Sequence, residues 1–486
     1  MLSGEARAAT RGVLALAILQ TLGRAFGLSF ALGATRLLLP AELGRYSTVS
    51  GIVVFGGFIA DFGLSLAITR RVSADPDSTD HLLGGTLLMS FGIGTACYLV
   101  ALGFASAAGY PTDTVIDVAI GALALPIGAV GIALLAALDG HGLIDRRALI
   151  TFVQSGVVAV GGLLALAAGL GVRAAIACIA LGPLVGAVIA VWVLRRSARW
   201  RSRPGFDLQA SRDLLMEALP YAVLAGIAAF TLRFDLVFVS VVSTAAETAR
   251  YDLALRSVEA VTYLGTVIAA PVIFILTRRL SRSEHDGAQR ALAQAARFSY
   301  LVGIPAATLL AIVASPAVRL LYGTEYEDVA TPLAVLAGQI WLSLLVSLLG
   351  STVIAAGLGR PVIPISASVA VVGVILDVAL VPTYGATGAA WAAVGAQVVA
   401  VAAFSAFAWR RIDLWITLPH VGVLVASAGA GVVAWLSMPW LDLAAAAAGA
   451  VTYAVLVVVT RGIGREDLAV LRAAVRGRST EVALDA

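Results

Sequence analysis

Apolar runs of about 20 residues, the length that carries a helix across a bilayer, recur along this chain from near residue 12 to near residue 460. No water-soluble fold has room for so many. The runs fall near 12–35, 46–69, 82–107, 115–138, 148–170 and 172–194, then 214–241, 249–277, 292–314, 329–357, 361–382 and 386–408, and finally 418–437 and 441–460. They are continuous, whereas membrane barrels show alternating segments of about 10 residues. The expectation is an all-α polytopic membrane protein with about 14 transmembrane helices. Composition agrees: 60% of the 486 residues are hydrophobic and 13% charged, against about 25% charged in soluble domains. The first run is itself long enough to span, so no separate cleavable signal is expected.

Charge placement orients the bundle. The chain has no Lys, and its 33 basic residues are all Arg. With both termini cytoplasmic, 25 of the 33 lie in inner segments. Arg36, Arg45, Arg173, Arg250 and Arg319 lie in outer loops, and Arg24, Arg233 and Arg256 within spans. This bias is the positive-inside pattern and puts both ends in the cytoplasm. The net charge of +4 is thereby accounted for without a nucleic-acid partner.

The chain repeats itself. AELGRY (Ala41 to Tyr46) returns as AETARY (Ala246 to Tyr251), and the second span of each half ends in an Arg pair, Arg70-Arg71 and Arg278-Arg279. GVRAA (Gly171 to Ala175) takes the place that GATGA (Gly385 to Ala389) takes later. Both halves run six spans in one orientation, so they are expected to be parallel repeats enclosing a central cavity. The organisation expected is a six-helix bundle over 1–194, a basic linker over 195–213, a second bundle over 214–409, two further spans over 410–461 and a tail over 462–486.

Ionisable groups inside spans cost about 2.5–3.5 kcal/mol each on insertion scales and mark functional positions. Arg24 is at the middle of the first span; Arg233 and Asp235 lie along the seventh, where i,i+2 neighbours point apart. Asp252, Arg256 and Glu259 share one face of the eighth. Asp61 and Asp377 lie nearer span ends. One reading is a cationic cavity in which Arg24, Arg256 and Arg233 take an anionic substrate, since the guanidinium fork suits phosphate. The other is inter-helix ion pairing, of Arg256 with Glu259 and of Arg233 with a carboxylate on the eighth span. Asp61, Asp235, Asp252, Glu259 and Asp377 are candidates for ion coupling or a charge network; for Asp61 and Asp377 a helix-end cap is the competing reading.

Catalytic and metal signatures are sparse. Asp75-Pro-Asp77 resembles a metal-binding DxD but sits in an acidic loop. His81, His141, His285 and His420 do not form a metal spacing, and Cys97 and Cys178 sit in apolar runs as small hydrophobes. No metal or cofactor is expected, and no loop is long enough for an extramembrane catalytic domain.

Several segments together resemble the polysaccharide-type flippases of the multidrug/oligosaccharidyl-lipid/polysaccharide (MOP) exporter superfamily. They are LGRYSTVSGIVVFGGFIADFGLSLAITRR (43–71), RFDLVFVS (233–240), ARYDLALRSVEAV (249–261), LLYGTEYEDVATPLAVLA (320–337) and LVPTYGATGAAWA (380–392). The resemblance implies a Wzx-like flippase of the bacterial cytoplasmic membrane. It would move a polyprenyl-pyrophosphate-linked oligosaccharide for O-antigen (lipopolysaccharide), capsule or exopolysaccharide, coupled to Na+, H+ or the membrane potential. It further implies membrane lipids, a glycan polymerase and glycosyltransferases as partners, and cavity roles for Arg24 and Arg256, which match the family's first- and eighth-span arginines. The second span carries Asp61 instead of a mid-span Arg, which departs from the lipid II flippase pattern and weighs against a peptidoglycan precursor. The alternatives are a MATE-type cation-coupled multidrug antiporter, a polytopic glycan polymerase and a non-transporting scaffold.

Overall fold

The computed structural model describes residues 19, 22, 23 and 25–460, apart from 77, 78, 198–207, 282, 283, 442 and 443. Among the described residues the protein is helical, with no β-strand. Its contacts divide it into two compact units at Ala249/Arg250.

The first unit holds α1 (Ala25–Leu37), α2 (Pro40–Asp61), α3 (Leu64–Ala74), α4 (Thr79–Ala107), α5 (Thr112–Gly121), α6 (Ala124–Gly140), α7 (Ile144–Ala167), α8 (Gly171–Arg196) and α9 (Leu208–Val242). Proline opens α2, where a missing N–H costs nothing, and Glu42 turns back to accept the Leu39 N–H at 3.2 Å. The run expected over 46–69 is broken: Phe62 and Gly63 adopt φ of 48° and 69°, ending α2 and starting α3. The seventh run, α9, packs against α2, α3 and α4 within this unit. Ile68, Leu83, Leu134, Leu138, Leu194 and Leu214 join α3, α4, α6, α8 and α9 in one core. Gly44 permits the closest approach: a Cβ there would lie 1.7 Å from the Ala245 carbonyl oxygen.

α10 (Ala245–Ser281) begins at the end of the first unit and runs into the second. The second unit continues with α11 (His285–Ile312), α12 (Ala314–Tyr322), a 3₁₀ turn (Thr324–Val329), α13 (Ala330–Leu336), α14 (Gln339–Ala355), α15 (Gly359–Ile412), α16 (Val421–Leu441) and α17 (Ala444–Val459). The 54 residues of α15 would run about 81 Å as one rod, far more than a bilayer. Gly385, with φ 55° and ψ −132°, breaks it. The break falls between the runs expected at 361–382 and 386–408. One core joins Leu292, Tyr300, Leu349 and Phe404 from α11, α14 and α15; another joins Leu301, Val423, Ala426 and Val457 from α11, α16 and α17.

Apolar side chains also cover the outside: Val100, Leu164 and Val188 are 70%, 64% and 62% exposed. Such a surface is at home in lipid. Among the described residues nine helices are long and apolar enough to cross a membrane, or ten if the bent pair Thr324–Leu336 and Gln339–Ala355 forms one span. The shorter apolar helices Ala25–Leu37 and Ala444–Val459 fall below that length. Every run expected from the sequence overlaps a described helix, and the protein is a multi-pass membrane protein.

Candidate functional site

The charges inside the spans are bonded in characteristic ways. Arg24 lies outside the described residues. Asp61, at the end of α2, caps the next helix: its carboxylate accepts from Ser65 Oγ at 2.8 Å and from the Ser65 N–H at 3.2 Å. This is the competing reading offered for Asp61, and it arises because the break at Phe62–Gly63 leaves the first N–H groups of α3 without helical partners. On α9, Arg233 and Asp235 are both half-buried, and Asp235 Oδ1 accepts the Leu236 N–H at 2.7 Å. Asp377 lies on α15 and is buried.

The structure brings Asp252 and Arg256 together. Arg256 Nε donates to Asp252 Oδ2 at 2.9 Å, one turn away on α10. An acid one turn before a base is the favourable order on a helix. Asp252 is 3% exposed, so its charge is held in a low-dielectric place by this guanidinium. Ser257, the next residue, shares a 2.7 Å hydrogen bond with the hydroxyl of Tyr322 from α12. Burial pushes the Tyr322 phenol above its ordinary value, and the Ser257 bond opposes the shift. Glu259 lies half-buried further along the same helix. The result is a fixed guanidinium, oriented from below by a carboxylate: a donor fork already aimed, suited to an anionic ligand.

A second charge cluster was not among the candidates read from sequence. Asp117 on α5, fully buried, accepts from Arg45 of α2 (Nε at 2.7 Å, and Nη2) and from Arg173 of α8 (Nε at 3.1 Å). Arg173 Nη2 also pairs with Asp113. The second unit carries a counterpart. Arg250, the AETARY equivalent of Arg45, donates to Asp328 in the 3₁₀ turn at 2.5 Å. Tyr46 and Tyr251, next in each motif, are both buried. In each unit, then, the Arg of the repeated motif ties its helix to a helix that is broken or bent a few residues later. The motif itself was the available signal; its partners, 72 and 78 residues away, were beyond any local pattern. Two further ties in the first unit join α3 to α9: Arg71 to Glu217 at 2.9 Å and Arg70 to the Tyr221 hydroxyl at 2.5 Å.

The remaining sequence features find local uses. His285 Nε2 lies 2.6 Å from the Ile412 carbonyl oxygen and His141 Nε2 lies 3.0 Å from Thr79 Oγ1. Cys97 and Cys178 are free thiols. Asp77, half of the DxD pattern, lies outside the described residues. Among the described residues no three His, Cys, Asp or Glu side chains group to hold a metal.

The fold is similar to that of "Lipid II flippase MurJ, inward closed conformation", with a TM-score of 0.78 at 14% identity, covering 92% of this chain and 98% of that one. It is also similar to the inward-facing conformation of a multidrug resistance MATE family transporter of the MOP superfamily, with a TM-score of 0.63 at 19% identity over 83% of this chain and 98% of that one. In sequence the chain is 24% identical over 372 residues to the "Probable low-salt glycan biosynthesis flippase Agl15" of Haloferax volcanii, covering 75% of this chain and 76% of that one. A family model described as "Polysaccharide biosynthesis protein" matches residues 34–331. The chain belongs to the polysaccharide biosynthesis protein family.

Proposed function

We propose that this protein is a flippase, moving a polyprenyl-pyrophosphate-linked oligosaccharide across a bacterial cytoplasmic membrane for the assembly of a surface polysaccharide. The observation that carries the reading is the coincidence, on one chain, of the polysaccharide biosynthesis family match with the fold of a lipid II flippase. Both termini face the cytoplasm, where the lipid-linked glycan is made by glycosyltransferases. A polymerase would take it up on the far side.

The chemical problem is moving a pyrophosphate through a medium in which charge is costly. Arg256, aimed by Asp252, offsets that cost with a fixed donor fork at no reorganisation penalty. Arg24 and Arg233 are the further cationic residues assigned to the anionic substrate. The prenyl tail stays in lipid and needs no protein site of its own. Transport is driven by a Na+ or H+ gradient without a resident cofactor, with Asp235, Glu259 and Asp377 as the carboxylates that carry the cation; Asp61, used as a cap, contributes to the fold of the α2–α3 break. The shared fold with MATE transporters supports cation-coupled drug export as the second reading.

Mass spectrometry of lipid extracts from a strain lacking the gene tests the proposal. Polyprenyl-pyrophosphate oligosaccharide accumulates and is cleared when the gene is restored. Absence of that lipid, together with raised sensitivity to cationic drugs, would transfer the assignment to the antiporter reading.

A further inference from the structure

Within the second unit, α10 is gripped from one side by a single short stretch of chain, α12 with the 3₁₀ turn that follows it. Gly323, with φ 94°, turns the chain between the two. Glu327 in the 3₁₀ turn braces the stretch on itself: it accepts from Ser315 Oγ at 3.3 Å and lies 3.9 Å from Arg319 Nε, both on α12. Two polar ties run from this braced stretch to α10. Arg250 donates to Asp328 at 2.5 Å, and the Tyr322 hydroxyl lies 2.7 Å from Ser257 Oγ. Ser257 Oγ spends its own proton on the Leu253 carbonyl at 2.8 Å, so the phenol is the donor in the bond they share.

The two ties fix how α10 is rolled. Arg250 and Ser257 stand seven residues apart, nearly in line along the helix and about 10 Å from each other along its axis. Hydrogen bonds are directional and apolar contact is not, so two bonds to one braced stretch hold the helix against rotation where packing alone would let it turn. Asp252, Arg256 and Glu259 lie about 100–180° round the helix from these ties. A guanidinium at the end of a long side chain moves far when its helix rolls, and an error of about 1 Å is costly to a directional contact. Tyr322 is 1% exposed, and a phenylalanine would fill the same space. A buried hydroxyl is costly unless it is bonded. What this one adds over a bare ring is direction, delivered to the residue next to Arg256.

We infer that Tyr322 is a positioning residue for the flippase: through Ser257 it sets the roll of α10, and so the aim of the Arg256–Asp252 fork at the pyrophosphate. The inference rests on the flippase reading with Arg256 as the pyrophosphate donor. It extends the site to a residue that acts without touching substrate.

The test measures binding of undecaprenyl pyrophosphate, without sugar, to purified monodisperse protein by native mass spectrometry, so that loss of folded protein does not enter. Tyr322→Phe keeps the ring and removes the bond. It weakens binding about two- to tenfold, the range that the net strength of one hydrogen bond allows. In an Arg256→Gln background the same change has no further effect, because no fork is left to aim. A hydroxyl with a merely structural role would act alike in both backgrounds. If Tyr322→Phe does not reach the membrane, Ser257→Ala carries the same comparison. Wild-type binding by the variant overturns the inference, as does equal weakening with and without Arg256. Wild-type binding by Arg256→Gln also overturns it and takes Arg256 out of the site, while the flippase reading stands. That reading is sunk by a separate result, a deletion strain that accumulates no lipid-linked oligosaccharide.

Discussion

Asp117 and Asp252 are buried carboxylates bonded to arginines. Asp117 has two, Arg45 and Arg173; Asp252 is given its bond by Arg256. The redundancy at Asp117 predicts strong coupling. Arg45→Ala and Arg173→Ala each leave a guanidinium on the carboxylate. The double variant strips both from a fully buried group. Its loss of thermal stability in detergent should exceed the sum of the single losses by about 0.5–3 kcal/mol; strict additivity would show that water reaches Asp117. At Asp252 the same logic separates folding from transport. Arg256→Ala takes away the guanidinium bonded to the buried Asp252 and should cost about 3–5 kcal/mol. Asp252→Asn with Arg256→Gln removes both charges, so the double variant should recover stability and still accumulate lipid-linked oligosaccharide. Recovery of export as well would take Arg256 out of the substrate site. Sequence reading reached Asp252 and Arg256 because their spacing is local. It passed over Asp117 because a single Asp near a span end looks solvated until the arginines from two other helices arrive.

At the level of elements, the hydrophobic runs located the helices well, since a span's length and freedom from charge are local properties. Runs do not report where a helix bends. The breaks at Phe62–Gly63 and Gly385 come from backbone conformations inside otherwise apolar stretches, and only the second fell at an expected boundary. Two glycines make this testable. Gly385 adopts φ 55°, ψ −132°, so Gly385→Ala should cost about 1–3 kcal/mol. Gly350→Ala, at a helical position with nothing within 4 Å, should be neutral or gain about 0.5–1 kcal/mol. Gly44 makes the sharper steric case. A Cβ there meets the Ala245 backbone at 1.7 Å, whereas one at Gly57 meets nothing within 4 Å. Gly44→Ala should lower the yield of monodisperse protein, and Gly57→Ala should leave it unchanged. Equal yields would mean that α2 can move away from the start of α10 at no cost.

For the whole molecule, the internal repeat ties fold to topology. Arg45 and Arg250 do the same work in their units, each holding its helix to the start of a broken or bent segment. The halves differ where function can differ: Arg173 adds a second clasp in the first unit, where the matching motif in the second has Thr387. Two repeats in parallel orientation must place equivalent ends on the same membrane face. Inverted repeats would place them on opposite faces. The positive-inside pattern predicts that the Arg-rich ends face the cytoplasm, and cysteine labelling checks orientation and parallelism together. In a background carrying Cys97→Ala and Cys178→Ala, a single cysteine is introduced at Ala74, Thr112 or Asp286, all exposed. A membrane-impermeant maleimide should label Thr112→Cys in intact cells, and Ala74→Cys and Asp286→Cys only after permeabilisation. The reverse pattern would turn the protein over in the membrane. Labelling of Ala74→Cys and Asp286→Cys from opposite sides would break the parallel relation between the repeats.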